Sequence, residues 1–326
     1  MRIVLIHPAF LGDTVFLGPA VRALKARWPE GRVSLVVTPR GAPAARLLPG
    51  CDEVVVFDKR RADAGPAGLW RLGRRLRALR PDLALVSHAS LRSGLLGRLS
   101  GARRRPGYAP LCSPRVPLDR ALPFVERVLR LAAAAGAPGE PGLALRAPEG
   151  RAARAAEEVL AGAARPVVGV VPGAEWATKR WGPERWAALL PMLGGTPVLL
   201  GGPGDRELAA EIGRRSELPV RDTTGNSIEE AIAILARCDL VLGGDTGLVH
   251  CARALGRPTV ILFGPTDPER HVWGPRDRPV SLGLECQPCH DHGPRVCPLG
   301  HHRCMVDLEP GRVAAAARPL LDAAAG

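Results

Sequence analysis

The sequence has no long hydrophobic run and few aromatic residues. No stretch of about 20 apolar residues occurs, so we expect no membrane-spanning helix. Phe, Trp and Tyr make up only 4% of the chain, whereas binders of single-stranded nucleic acid stack bases on interleaved aromatic rings. The start, MRIVLIHPAF, lacks the basic region and long apolar segment of a signal peptide. We therefore expect a cytoplasmic protein that binds no nucleic acid.

Positive charge, by contrast, is abundant. The net charge is +13 and is carried mostly by Arg. A GC-rich genome explains such a composition, because it favours Ala, Arg, Gly and Pro codons. An anionic partner explains it equally well, since excess positive charge attracts phosphorylated glycans, anionic lipid or nucleic acid. Composition alone leaves both explanations open. The basic helix predicted at residues 69–79 is either a solvated surface helix or a helix that makes a peripheral contact with the inner membrane.

The length and the pattern of apolar residues predict two α/β domains. A chain of 326 residues suits two cores of about 150 residues each. Short apolar runs alternate with helical spacing, which predicts parallel sheets in two Rossmann-like, doubly wound domains. The predicted strands are 2–7, 32–37, 53–57 and 82–87 in the first half, and 166–171, 197–200, 239–243 and 259–263 in the second.

A Gly- and Pro-rich segment at 136–150 marks the end of the first domain. The first predicted domain therefore covers 1–150. The second predicted domain covers 151–308. A terminal helix covers 309–326, and in one possible arrangement this helix packs against the first domain. Ligands of doubly wound sheets bind beyond the carboxyl ends of the strands, so a cleft between two facing domains would hold a donor and an acceptor.

The turn after the first strand contains Gly12, Asp13 and Thr14. Asp is a common residue at helix starts, where it caps backbone N–H groups. The same carboxylate can instead serve as a general base that takes a proton from an acceptor hydroxyl. Gly12 would let the backbone approach a ligand closely.

The strand at 166–171 leads into the segment PGAEWATKRW. Gly173 leaves room for a phosphate, and Lys179 and Arg180 can neutralise it. A departing nucleoside diphosphate needs this stabilisation, because negative charge develops on it in the transition state. A basic surface loop is the alternative interpretation.

Two further turns carry acidic residues and glycines. GGDTGLVH places Asp245, Thr246 and Gly247 at a strand-to-helix turn whose backbone N–H groups can bind diphosphate. It lacks the lysine of the P-loop motif, so ATP hydrolysis is not indicated. GGPGDRE contains Asp205 and Glu207, either of which can bind ribose hydroxyls. Both segments are also compatible with ordinary tight turns and helix caps.

A Cys- and His-rich segment precedes the terminal helix. Cys286, Cys289, Cys297 and Cys304 include one CxxC pair and can bind a structural zinc ion tetrahedrally. The spacing of the later thiols is looser than in a zinc ribbon, and a loop of reduced thiols is the alternative.

These segments, taken in order, resemble the lipopolysaccharide heptosyltransferase family, glycosyltransferase family 9, over nearly the whole chain. The similar pieces are the strand-GDT turn, PGAEWATKRWGPERWAAL, GGPGDRE, TTGNSIEEAIAILARCDLVLGGDTGLVHCARALGRPTVILFGPTDP and CQPCHDHGPRVCPLGHHRCM. The resemblance implies a fold of glycosyltransferase-B type, in which the domain at 1–150 binds the acceptor and the domain at 151–308 binds the nucleotide sugar. It also implies an inverting, metal-independent transfer of heptose from ADP-heptose to the lipopolysaccharide inner core.

The resemblance further implies roles for individual residues. Asp13 matches the general base, and Lys179 matches a catalytic lysine beside the donor phosphates. The remaining implied donor contacts are Gly173, Arg180, Asp205 or Glu207, Asn226, Ser227, Ile228, Asp245, Thr246, Gly247 and His250. The implied acceptor contacts are Gly12, Thr14, Arg60 and Arg61. No catalytic metal and no cofactor are implied.

Two other classes of function remain open at this point. One is a related glycosyltransferase that uses another nucleotide sugar. The other is a non-catalytic protein that binds anions or nucleic acid, although the dispersed Arg residues and scarce aromatics argue against it.

Overall fold

The structure is a computed structural model that describes residues 1–325. Contacts between Cα atoms divide the chain into two compact units. The first comprises residues 1–146 together with 270–272, and the second comprises 147–269 and the chain from 273 onward.

The first unit contains a four-stranded parallel sheet. Its strands are β1 (Arg2–Ile6), β2 (Arg32–Val37), β3 (Glu53–Val56) and β4 (Leu83–Val86), in the order β3-β2-β1-β4. Its helices are α1 (Leu11–Val15), α2 (Gly18–Arg27), α3 (Ala42–Leu47), α4 (Gly65–Ala78), α5 (Leu91–Leu99) and α6 (Phe124–Ala134). The central strand β1 is buried along most of its length because helices cover both faces of such a sheet.

The second unit contains a six-stranded parallel sheet. Its strands are β5 (Val167–Val171), β6 (Thr196–Leu199), β7 (Arg221–Asp222), β8 (Leu240–Gly244), β9 (Thr259–Phe263) and β10 (Asp277–Ser281), in the order β10-β9-β8-β5-β6-β7. Its helices are α7 (Arg151–Leu160), α8 (Pro183–Leu193), α9 (Arg206–Arg215), α10 (Ile228–Leu235), α11 (Gly247–Ala254), α12 (Arg303–Val306) and α13 (Pro310–Ala325).

The terminal helix α13 belongs to the core of the second unit. Val313, Ala317 and Leu320 are buried there with Trp181 and Trp186. The buried face of this helix therefore belongs to the second unit. The apolar face of α13 is covered by α8 and by the second sheet.

Two differences from the predicted elements have local causes. The apolar spacing of residues 14–28 predicts one helix, but the structure has two there, α1 and α2. Pro19 stands in the first turn of α2, where proline is tolerated. Strand β10 was not predicted, because Pro279 lies inside it and proline is confined to edge strands. β10 is indeed at an edge of its sheet.

The two parallel doubly wound sheets confirm the predicted α/β fold class. Within residues 1–325, no helix is both long enough and apolar enough to span a bilayer.

Candidate active site

Asp13 lies half-buried in the first turn of α1, at the carboxyl edge of the first sheet. One carboxylate oxygen, Oδ2, accepts a hydrogen bond from the backbone N–H of Phe10 at 3.2 Å. This contact is the helix-capping interaction that was one of the two interpretations of Asp13 from the sequence. The Thr14 hydroxyl is buried and donates to the Phe10 carbonyl at 3.1 Å, and Gly12 is buried beside it. Asp13 is thus held in a fixed turn.

Basic side chains that sequence reasoning did not single out lie at the same sheet edge. Lys59 follows β3, and its Nζ donates to the carbonyl of Pro8 at 3.1 Å. His7 follows β1 and bonds the Ser87 hydroxyl at 2.9 Å. Burial holds the pKa of His7 well below its usual value, and His88, Arg127 and Lys59 add to that shift. His7, Lys59 and His88 each lie shortly after the end of a strand, and this position could have identified them as candidate site residues.

Arg60 and Arg61 are exposed in the turn that follows β3. The carboxylate of Asp58 accepts both backbone N–H groups, at 3.4 Å and 3.2 Å. Both guanidinium groups therefore stand on an ordered turn next to Lys59. Burial lowers the pKa of Lys59, and the neighbouring Arg60 and Arg92 lower it further. This concentration of positive charge is suited to an anionic ligand.

The second unit contains a buried ion pair between Lys179 and Asp245. Lys179 ends a short 3-10 turn after β5, and Asp245 follows β8. The Nζ atom lies 2.6 Å from Asp245 Oδ2 and 3.1 Å from the Asp245 carbonyl oxygen. Both side chains are 11% exposed. An ammonium group has three donors, so this geometry fixes two of them and leaves Lys179 able to bind one more acceptor.

Helix α11 begins directly beside this pair. Thr246 is its N-cap residue and Gly247 its first residue. The first N–H groups of a helix have no partner within the helix, and they carry a partial positive charge that favours anions. Gly244 permits the close approach, because a Cβ there would lie 2.9 Å from the Lys179 carbonyl oxygen. The ammonium group and the helix terminus together make this position a candidate anion site.

Asp245 is also held by His250 and by Thr266. His250 Nε2 lies 2.9 Å from Asp245 Oδ1, and the Thr266 hydroxyl donates to Oδ2 at 2.9 Å. Burial lowers the pKa of His250, although the Asp245 carboxylate opposes that shift. Thr266 was missed by sequence reasoning, since a single Thr after a strand carries no distinctive signal.

The two candidate ribose-binding acids differ in position. Asp205 is half-buried, and its Oδ2 accepts the Gly202 N–H at 2.9 Å. Glu207 is exposed in the first turn of α9. A Cβ added to Gly173 would lie 2.2 Å from Asp205 Oδ1. The Asp205 carboxylate therefore adjoins the Gly173 segment that leads to Lys179.

If Asp205 contacts the nucleotide, as the resemblance implies, replacing Gly173 with alanine should weaken ADP binding without unfolding the protein. The new methyl group would displace the Asp205 carboxylate, which is a side-chain terminus that can move at little cost to the fold. We expect a dissociation constant for ADP about tenfold higher, the equivalent of losing one good hydrogen bond to a charged group. Calorimetric titration with ADP measures the change.

The matched control is Gly204→Ala in the neighbouring loop, where a Cβ meets nothing within 4 Å. Its ADP affinity should equal that of the wild type. Equal affinities for both variants and the wild type would show that Asp205 does not contact the nucleotide.

The remaining predicted donor residues have local structural contacts. Ser227 is the N-cap of α10, and its hydroxyl accepts the Glu230 N–H at 3.2 Å. Asn226 and Ile228 flank it and are half-buried. Arg180 is exposed, and its guanidinium donates to the Ala174 carbonyl at 3.1 Å and 3.0 Å. Arg180 thus closes the loop that carries Lys179.

The Cys- and His-rich segment packs against the same loop. The Thr178 hydroxyl donates to the Pro294 carbonyl at 2.6 Å, and His302 Nε2 lies 2.7 Å from the Thr178 carbonyl oxygen. A Cβ on Gly293 would lie 3.2 Å from Lys179 Cε. The segment therefore supports the position of Lys179.

The thiols of this segment lie near one another. Burial raises the pKa of Cys304 to about 11, with further contributions from Cys289, Cys297 and Cys286. The pKa of Cys297 is lowered by backbone N–H groups, first that of His302, and such contacts favour the thiolate that zinc binds. Within residues 1–325, no three of the four sulfurs lie within 4.8 Å of one another. Structural zinc remains a prediction.

Elemental analysis of the purified protein tests that prediction. A structural zinc site would appear as one zinc ion per chain, because four thiolates complete a tetrahedral site. Cys297→Ser should lose the metal, whereas Cys238→Ser, at a buried thiol outside the segment, should retain it. A metal-free wild-type protein would identify the segment as a loop of reduced thiols.

The two parallel doubly wound sheets and the anion site define a glycosyltransferase of B type. The family model described as glycosyltransferase family 9 (heptosyltransferase) matches residues 69–299. That match spans more than half of the chain, and the chain belongs to glycosyltransferase family 9.

Individual relatives agree with this assignment. The chain is 29% identical to lipopolysaccharide heptosyltransferase 2 of Salmonella typhimurium, covering 96% of both proteins. It is 26% identical to the solved structure of E. coli ADP-heptose LPS heptosyltransferase II, with a TM-score of 0.81 and full coverage of both chains. A glycosyltransferase family 9 structure from Veillonella parvula shares the fold, with a TM-score of 0.88, 22% identity and coverage of 99% and 97%.

Proposed function

We propose that this enzyme transfers heptose from ADP-heptose to the inner core of lipopolysaccharide, with inversion and without a catalytic metal ion. The observation that carries the proposal is the Lys179–Asp245 pair beside the N-terminus of α11. The names of its relatives support the substrates, since one relative is an ADP-heptose LPS heptosyltransferase and another a lipopolysaccharide heptosyltransferase.

The second unit would bind the donor. The ADP diphosphate would accept hydrogen bonds from Lys179 Nζ and from the first N–H groups of α11. Asp205, next to Gly173, would accept the ribose hydroxyls, and we prefer it to the exposed Glu207 for this reason. Residues 226–228 would border the adenine.

The transfer would be a single displacement. The acceptor hydroxyl oxygen forms a bond to the anomeric carbon while the bond from that carbon to the ADP oxygen breaks. The hydroxyl proton goes to Asp13, and ADP leaves with the bonding electron pair. Lys179 and the helix terminus stabilise the charge that develops on the diphosphate. This fixed positive charge would serve where other transferases use a metal ion.

The acceptor would bind at the carboxyl edge of the first sheet. Inner-core saccharides are anionic, and Lys59, Arg60 and Arg61 place positive charge beside the turn that holds Asp13. We propose that the reaction takes place in the cytoplasm, at the face of the inner membrane, where a nucleotide sugar and a lipid-linked acceptor meet.

A panel of nucleotide sugars tests the proposed function. The purified enzyme is incubated with a heptose-deficient inner-core acceptor and ADP-heptose, ADP-glucose or UDP-glucose, and products are identified by mass spectrometry. We expect transfer from ADP-heptose alone, at the same rate with and without EDTA. Transfer from another donor would define a related glycosyltransferase instead, and loss of transfer in EDTA would contradict the metal-independent step.

A further inference from the structure

A chain of buried contacts continues from the candidate donor site to the edge of the second sheet. Arg253 lies three residues after His250 on α11 and therefore on the same helix face. Its NH1 atom is 3.4 Å from His250 Nδ1, and its Nε atom donates to Asp277 Oδ2 at 3.1 Å. The side chains of Arg253 and Asp277 are 2% and 9% exposed.

Asp277 holds Arg253 in one position. The Asp277 carboxylate accepts the Thr259 hydroxyl at 2.7 Å and the Gly274 N–H at 2.9 Å. The guanidinium carbon of Arg253 lies 4.5 Å from the ring centroid of Trp273, which contributes a cation–π contact. The guanidinium is thereby fixed on three sides by groups that are themselves ordered.

A buried ion pair is weak evidence for a stabilising role. Burying two charges costs desolvation energy, and apolar residues of similar volume are often neutral or stabilising replacements for such a pair. The atom that Arg253 contacts points to a further role.

Arg253 determines which ring nitrogen of His250 carries the proton. A guanidinium only donates hydrogen bonds, so His250 Nδ1 accepts the hydrogen bond from Arg253. The proton of the neutral imidazole ring is therefore on Nε2. Nε2–H then donates to Asp245 Oδ1 at 2.9 Å. With Oδ1 occupied, Asp245 presents Oδ2 to Lys179 at 2.6 Å.

We propose that Arg253, anchored by Asp277, is a positioning residue that acts through His250 and Asp245 to hold the Lys179 ammonium for the donor diphosphate. The inference rests on the proposed function for the identity of that ligand. Arg253 itself touches neither the donor nor the acceptor in this account, and its effect passes through one imidazole ring.

NMR of protein labelled with ¹⁵N-histidine tests the first step independently of activity. In the wild type, the His250 signals should show a neutral ring with the proton on Nε2. In Arg253→Met, the Nδ1 signal should shift, because it loses a charged donor. A His250 ring that carries its proton on Nδ1 in the wild type, or an unchanged Nδ1 signal in the variant, would overturn the proposal.

A double-mutant cycle tests the second step. Arg253→Met should raise the ADP dissociation constant about tenfold, the equivalent of losing one hydrogen bond to a charged group. In a His250→Phe background, the same change should alter the constant by no more than about twofold. The full effect of Arg253→Met persisting in that background would show that Arg253 does not act through His250.

A stability control separates positioning from folding. Leu320→Ala removes a core side chain of α13 in the same unit and should lower the melting temperature without changing ADP affinity or the His250 signals. If ADP failed to bind the wild type, the proposed function would fall, whereas the NMR result would still decide whether Arg253 fixes the His250 ring.

Discussion

Replacing Asp13 with asparagine lowers kcat by about two to four orders of magnitude, the usual contribution of a positioned general base. Asparagine keeps an oxygen that can accept the Phe10 N–H, so the contact seen at 3.2 Å is retained. It lacks the basic carboxylate that would take the proton from the acceptor in the proposed reaction. The measurement is steady-state turnover with saturating ADP-heptose and inner-core acceptor.

Two controls separate the base from the helix cap. Asp119→Asn changes another exposed turn carboxylate, which accepts the Ala121 N–H at 3.0 Å, and should leave kcat unchanged. ADP affinity should also be unchanged in Asp13→Asn, because the proposed nucleotide contacts lie in the second unit. Near-normal turnover in Asp13→Asn would leave Asp13 with only its capping role.

Lys179→Met should reduce kcat by about two to three orders of magnitude. Removing one preorganised donor to developing charge has a cost of this size. Methionine keeps the length and the apolar stem but removes the ammonium that lies 2.6 Å from Asp245. The loss should appear mainly in kcat, because the negative charge on the diphosphate is greater in the transition state than in the bound donor.

Lys25→Met is the matched control for this prediction. Lys25 also forms an ion pair, with its Nζ 2.8 Å from Asp52 in the first unit, but it belongs to no proposed contact. Its kcat should stay at the wild-type value. Equal activities of Lys179→Met and Lys25→Met would remove Lys179 from the reaction.

The sequence predicts the strands of this fold well, because buried parallel strands are continuous apolar runs. The strands at Arg32–Val37 and Thr259–Phe263 have the predicted bounds. Elements with weaker apolar patterns were not predicted. Strand β7 has only two residues, Arg221–Asp222, and both are charged, so its amino-acid composition does not differ from that of a loop.

The candidate site is predictable only in part. Motifs next to strand ends identified Lys179 and Asp245, which the structure places 2.6 Å apart. No local pattern indicates that Asp277 supports His250 through Arg253, because Asp277 is far from both along the chain and only the sheet brings it close. The sequence around Trp181 does not indicate its buried contact either. The indole N–H of Trp181 donates to the carbonyl of Leu308, which is distant along the chain, inside the core.

The central claim is that the Lys179–Asp245 pair and the start of α11 bind the diphosphate of ADP. A crystal structure of the enzyme with ADP tests it most directly. The account predicts diphosphate oxygens within hydrogen-bonding distance of Lys179 Nζ and of the first backbone N–H groups of α11, with the ribose at Asp205. A diphosphate bound beyond the reach of both Lys179 and α11 would contradict it.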